Sequence, residues 1–200
     1  MNKSGVTVKL GLEATSEVIE GEKPEAVVIA TGAVPIVPED ISGAKGRNVL
    51  SALDVFADVK EVGQRVAVIG GGLVGCEIAE LLSQKGKKVT ILEMLDEIGS
   101  DMGQTNKRAM LYYLQKAGVD LVVKTQAQEI TDKGVKAIQD NTMQFYEADT
   151  VVIAVGFTPD TELIRRLSGK ISALFPIGDC VESRKIIDAI SDGARAGREL

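Results

Sequence analysis

The chain of 200 residues has no histidine and no tryptophan, only two cysteines and five prolines, and aromatic residues at just 4%. Without histidine it lacks the commonest general base and the commonest nitrogen ligand for a metal. Cys76 and Cys180 stand apart, in neither a CxxC pair nor a disulfide framework. That usage suits a reducing cytoplasm and excludes a Cys-ligated cluster held by this chain alone. No residue stands out as a proton donor, so no catalytic acid, base or metal ligand is assigned, and any redox chemistry falls to a bound cofactor. The 23 basic residues against 29 acidic ones leave a net charge of −6 with no basic block. Nucleic acid and anionic membrane surfaces are therefore not expected partners. The longest apolar runs, residues 66–69 and 151–155, are strand-sized and far short of the ~20 residues a membrane helix needs. The first ten residues have no apolar h-region and no cleavage pattern, so secretion is not indicated.

What is present is the composition of a globular chain, 44% hydrophobic and 26% charged with 21 glycines, long enough for one domain or at most two. From Arg65 the sequence RVAVIGGGLVGCEIAELLSQKGKKVTILE reads as strand, tight glycine turn, helix and second strand, a βαβ unit. In its helix Val74, Ile78, Leu81 and Leu82 form an apolar stripe to lie on a sheet, and Gly86 supplies the stop. A second helix over residues 105–117, with Met110, Tyr113, Leu114 and Ala117 on one face, leads into VDLVVK, read as a third buried strand. Alternation of strand and helix implies a parallel sheet and an α/β fold. The short alternating segments QAQEI, GVKAI and MQFYE, parted by Thr131-Asp132-Lys133 and Asp140-Asn141, then predict an antiparallel β-meander.

Two flanking segments resemble each other: VVIATGAVPIVPE (residues 27–39) and VVIAVGFTPDTEL (residues 151–163). Each is a strand that stops at a glycine, Gly32 or Gly156, and turns away near proline, which lets backbone approach something bound there. A single copy would be an ordinary strand end; two copies point to two related nucleotide-type domains, the second inserted into the first. The crossings are expected near residues 32–58 and 156–160, giving a central domain over residues 59–155 and a flanking one over residues 1–58 and 156–200.

Gly70-Gly71-Gly72-Leu73-Val74-Gly75 satisfies G-x-G-x-x-G, and it follows a strand, opens a helix and is succeeded by a strand ending in Glu93. In that setting Gly70 permits the sharp turn, Gly72 the approach of a pyrophosphate, and Gly75 close helix–strand packing, while the helix N-terminus offers free N–H groups. Glu93 would accept the hydroxyls of an adenosine ribose and repel the extra phosphate of NADP; Met94, Leu95 and Asp96 bring no arginine to hold it. NADH is therefore favoured over NADPH. Glu77 either complements the helix dipole or approaches the nicotinamide. Near the end, Gly178-Asp179 follows a short strand, and Asp179 either caps a turn or binds a hydroxylated cofactor tail. The last helix carries Ile186, Ile190, Gly193, Ala194 and Gly197 on a face small enough to demand close packing. Cys76 reads as a small buried hydrophobe, and Cys180 has no resolving partner in sequence reach.

Together VVIATGAVP, VAVIGGGLVGCEIAE with TILE, VVIAVGFTPDTEL and FPIGDC resemble the pyridine-nucleotide-dependent flavoprotein oxidoreductases, over nearly the whole chain. The tail IGDCVESRKIIDAISDGARAG, with EIGSDMG, is similar to the C-terminal half of the NADH:flavin oxidoreductases related to 2,4-dienoyl-CoA reductase, 2-enoate reductase and trimethylamine dehydrogenase. The resemblance implies a Rossmann-like NAD(P)H-binding domain inserted into a partial FAD-type domain. It also implies dinucleotide contacts at Gly70, Gly72, Gly75 and Glu93, a Glu77 near the nicotinamide, crossings at Gly32 and Gly156, and an Asp179 on the ribityl chain of FAD. No second glycine-rich strand–turn–helix precedes Val27, and the cysteines for an iron–sulfur cluster are missing. The expectation is a portion of a larger reductase whose partners are upstream flavin and iron–sulfur domains, hydride passing from NADH to FAD and electrons onward to an acceptor site outside this chain; the isolated portion is expected to be inactive. A stand-alone NAD(H)-binding or sensing module is the alternative. A methyltransferase using adenosylmethionine shares the glycine turn but leaves the doubled segments and the Gly-Asp turn unexplained.

Overall fold

The structure, a computed structural model, describes residues 5–200, and these fall into two compact units, residues 5–34 with 158–200 and residues 35–157. In chain order the first unit opens with α1 (Ser16–Glu22) and β1 (Ala26–Ile29), and the chain leaves it through β2 (Ala33–Pro35). The second unit holds β3 (Val49–Ser51), α2 (Ala52–Phe56), β4 (Arg65–Ile69), α3 (Leu73–Gln84), β5 (Lys88–Leu92), α4 (Gln104–Lys116) and β6 (Asp120–Val122). It continues with β7 (Thr125–Thr131), β8 (Gly134–Gln139), β9 (Thr142–Glu147) and β10 (Thr150–Ile153). After β11 (Phe157–Pro159) the first unit is completed by α5 (Glu162–Leu167), β12 (Ala173–Pro176), a 3₁₀ turn at Gly178–Cys180 and α6 (Ile186–Glu199).

In the second unit five strands form a wholly parallel sheet in the order β3-β10-β4-β5-β6. Its central strands are apolar throughout because both faces are covered. Along β4 the alternation of side chains divides the core: Val66 and Val68 face Ile78, Leu82 and Leu114 of α3 and α4, while Ala67 and Ile69 join Ala127, Ile130 and Val135 of the meander. Burying side chains such as Ile78 and Leu82, both at 1% exposure or less, stabilises by about 1.5–3 kcal/mol each. The meander β7-β8-β9 is antiparallel. Asp140 and Asn141, at φ 48° and 60°, make the two-residue turn between β8 and β9 that matches the twist of a hairpin.

The first unit is built on a parallel pair, β1 with β12, over a small core of Ile29, Leu167 and Cys180. Here the expected domain limits shift. Residues 35–58 belong with the parallel sheet rather than with the flanking unit, because β3 is hydrogen-bonded to β10 as its edge strand. Three local expectations also change. VDLVVK is a half-buried edge, since β6 pairs with β5 alone. On α4 Leu114 is buried and Met110 and Leu111 pack against the core, but Tyr113 and Ala117 are exposed. On α6 Ile186 and Ile190 are 81% and 60% exposed, and the face that packs within its unit carries Ala189, Asp192 and Ala196. Among the described residues no helix is long and apolar enough to cross a membrane.

Candidate dinucleotide cleft

At the C-terminal ends of β4, β5 and β10 lies a cleft of about 530 Å³. Ligands of open parallel sheets bind outside these ends, where helix N-termini converge. Gly70, Gly72, Leu73, Val74, Glu93 and Gly156 all line it.

The turn between β4 and α3 needs its glycines for two separate reasons. Gly70 sits at φ +103°, and its N–H donates to the Leu92 carbonyl at 2.9 Å, tying the turn to the end of β5. Gly75 faces the Gly70 carbonyl so closely that a Cβ there would enter the oxygen, so α3 lies flush on the strand. Gly72 is the N-cap of α3 and offers no side chain to satisfy its first amides.

Glu93 is only 8% exposed and is held on both oxygens: Oε2 accepts the Gly71 N–H at 2.6 Å and Oε1 the Leu95 N–H at 2.8 Å. Each carboxylate oxygen has a further lone pair, so the group retains capacity to accept ribose hydroxyls. Beside it Asp101 accepts the Leu73 N–H at 3.0 and 3.1 Å with its two oxygens. Asp40 and Ile41 also line the cleft, as do Thr125, Gln126 and Ala127 of β7.

Glu77 is exposed on α3 and does not line this cleft. Gly71 is not among the residues lining the cleft, and its N–H is committed to Glu93. Gly32, Gly178 and Asp179 belong to the other unit. There Gly32 and Gly178 carry φ values of +80° and +66°, the Gly32 carbonyl accepts the Asp160 N–H at 3.1 Å, and Asp179 accepts the Arg184 N–H at 3.4 Å across its turn. The Gly178 N–H donates to Asp192 at 3.2 Å, and Asp192 also binds the Arg184 and Arg195 guanidinium groups. Burial alone would push the Asp192 carboxyl up, but the Gly178 N–H and the two arginines outweigh it and hold the group below the ordinary carboxylate value. Cys76 is fully buried, and burial pushes its thiol up to about 12, far from reactive. Among the described residues no group of three His, Cys, Asp or Glu side chains is placed to hold a metal ion.

Sequence reasoning did not single out Asp40, Asp101, Gln126 or Asp192. Asp101 lies within EIGSDMG, where a loop carboxylate gives no periodic signal; Asp192 sits on a helix where an isolated acid reads as solvated surface.

The model of the pyridine nucleotide-disulphide oxidoreductase family matches residues 5–193. Among curated relatives, an NADH oxidase of Thermoanaerobacter brockii is 39% identical, over 100% of this chain and 32% of its own length. A metal reductase of Desulforamulus reducens is 35% identical over 93% of this chain and 33% of its own. The chain thus spans about a third of the length of the curated relatives it matches. Among solved structures, a 2-naphthoyl-CoA reductase superposes with a TM-score of 0.95 at 31% identity, covering 100% of this chain and 30% of that one.

Proposed function

Since the chain belongs to the pyridine nucleotide-disulphide oxidoreductase family, we propose that residues 35–157 are the NADH-binding part of a flavin-dependent oxidoreductase several times longer than the portion described. Residues 5–34 and 158–200 are then part of the FAD-binding domain, with the Gly178–Asp179 turn toward the ribityl chain and Gly32 and Gly156 at the crossings. The bound cofactors supply the redox chemistry, a hydride passing from the nicotinamide to the flavin. The chain's own residues bind and orient. Leu73 and Val74 amides at the start of α3 meet the pyrophosphate, Gly75 keeps that helix end seated on β4, and Glu93 takes the ribose hydroxyls. Glu77 lies outside the cleft, so a role at the nicotinamide is not part of this reading.

The observation that carries the proposal is one cleft in which the glycine turn, the N-terminus of α3 and the buried Glu93 carboxylate converge. The relatives named NADH oxidase support the nucleotide, and membership of the pyridine nucleotide-disulphide oxidoreductase family supports the flavin. The closer placement beside 2,4-dienoyl-CoA reductase, with upstream flavin and iron–sulfur domains as partners and an acceptor outside this chain, rests on the tail from Ile177 and on EIGSDMG. Calorimetric titration with NADH tests the reading: one saturable site per chain is expected, and no saturable binding contradicts it. Among the described residues before β1 there is α1 and no glycine-rich turn of the kind that cradles a pyrophosphate. The isolated chain should accordingly purify without flavin and oxidise NADH negligibly.

A further inference from the structure

Leu73 is the first residue of α3, and its N–H is one of the amides an incoming phosphate would use. That amide already has an anionic partner, the Asp101 carboxylate at 3.0 and 3.1 Å. Asp101 comes from the loop between β5 and α4, and the loop is fastened by contacts that do not involve it. The Gly99 N–H donates to the Gly71 carbonyl at 2.7 Å, Ile98 is buried beneath the glycine turn, and the largely buried Lys107 ammonium reaches Glu97 at 2.6 Å. Asp101 itself is exposed and lines the same cleft as Gly72 and Glu93.

We infer that Asp101 is a specificity-determining residue of this cleft: its carboxylate competes with the ligand's pyrophosphate for the Leu73 amide and sets how tightly phosphate-bearing ligands are held. The inference rests on the reading of the cleft as a dinucleotide site. Two anions cannot share one N–H at hydrogen-bond distance without strong repulsion, so binding of a pyrophosphate turns the side chain away while the fastened loop stays in place. The penalty falls on ADP and NADH and spares adenosine, which has no phosphate. Weaker nucleotide binding is the consequence.

The test compares the chain as it stands with Asp101→Asn and Asp101→Ala, each checked by thermal unfolding, using calorimetry for NADH and ADP and ligand-observed NMR for adenosine. Kd for NADH and ADP should fall about two- to fivefold in both variants, the scale of one anion removed from an exposed helix N-terminus. Kd for adenosine should stay the same. NADH and ADP binding unchanged or weakened in the folded variants overturns the inference, and so does a parallel shift for adenosine, which marks a purely structural residue. Should neither the unsubstituted chain nor the variants bind NADH or ADP, the dinucleotide reading falls and takes the inference with it. Should the unsubstituted chain bind both while neither variant gains, the inference alone fails.

Discussion

Glu93 and Gly71 are joined by a buried hydrogen bond of 2.6 Å from the Gly71 N–H to the Glu93 carboxylate. A single side chain at the end of β5 thus shapes the glycine turn from below and lines the cleft above it. Loss of the charge and loss of the scaffold are therefore coupled at this position.

Glu93→Gln retains the length of the side chain but brings one oxygen to two N–H donors, leaving the Gly71 or Leu95 amide facing an NH₂ group. An unsatisfied buried donor costs about 1–3 kcal/mol. Urea unfolding should show a loss of that size, and Glu93→Ala a loss at least as large. Unchanged stability in both would mean that the turn does not lean on this carboxylate.

Gly75→Ala drives a methyl group into the Gly70 carbonyl, a backbone atom that cannot rotate away. Overpacking of this kind costs about 1–3 kcal/mol or more. Gly197→Ala, within α6 and with nothing inside 4 Å of the added carbon, should instead raise stability by about 0.5–1 kcal/mol. Thermal midpoints that move in opposite directions are the expected result; equal losses contradict the packing argument.

The βαβ unit, the meander and the glycine turn were legible in the sequence because each has a local signature: strand-length apolar runs, period-two alternation with Asp140-Asn141 at the bend, and glycines at fixed offsets. Which residues crossed between units was not. Val49 to Ser51 carry no mark that they pair with β10 rather than with the flanking strands, since a three-residue edge strand takes its partner from tertiary contacts. Tyr113 on α4 was expected inside by spacing alone, and the narrower stripe through Met110, Leu111 and Leu114 suffices to cover the sheet. The partners of Asp101 and Asp192 were hidden for the same reason, because a carboxylate's role depends on which backbone amide the fold brings to it.

Asp192 gives the first unit a pH-dependent hold on its Gly178 turn. Its carboxyl lies below the ordinary 3.8 through the Gly178 N–H and the Arg184 and Arg195 groups, which outweigh burial. A lowered carboxylate contributes stability that is fully present above its unfolded value and is lost as pH falls through the folded one. The chain should therefore exceed Asp192→Asn in thermal midpoint from neutrality down to about pH 5, and the gap should close as pH falls below about 4. A gap independent of pH between 3 and 7 (about the range of carboxylate titration) would contradict this assignment.

The central claim, that Glu93 and the α3 N-terminus form an NADH site, is tested most directly by side-by-side calorimetric titration of the chain with NADH and NADPH, repeated on Glu93→Gln. The account predicts tighter binding of NADH, by a charge repulsion of about 1–3 kcal/mol or roughly five- to over a hundredfold in Kd, with the preference narrowed in the variant. Equal affinities for the two nucleotides in the unsubstituted chain would contradict it.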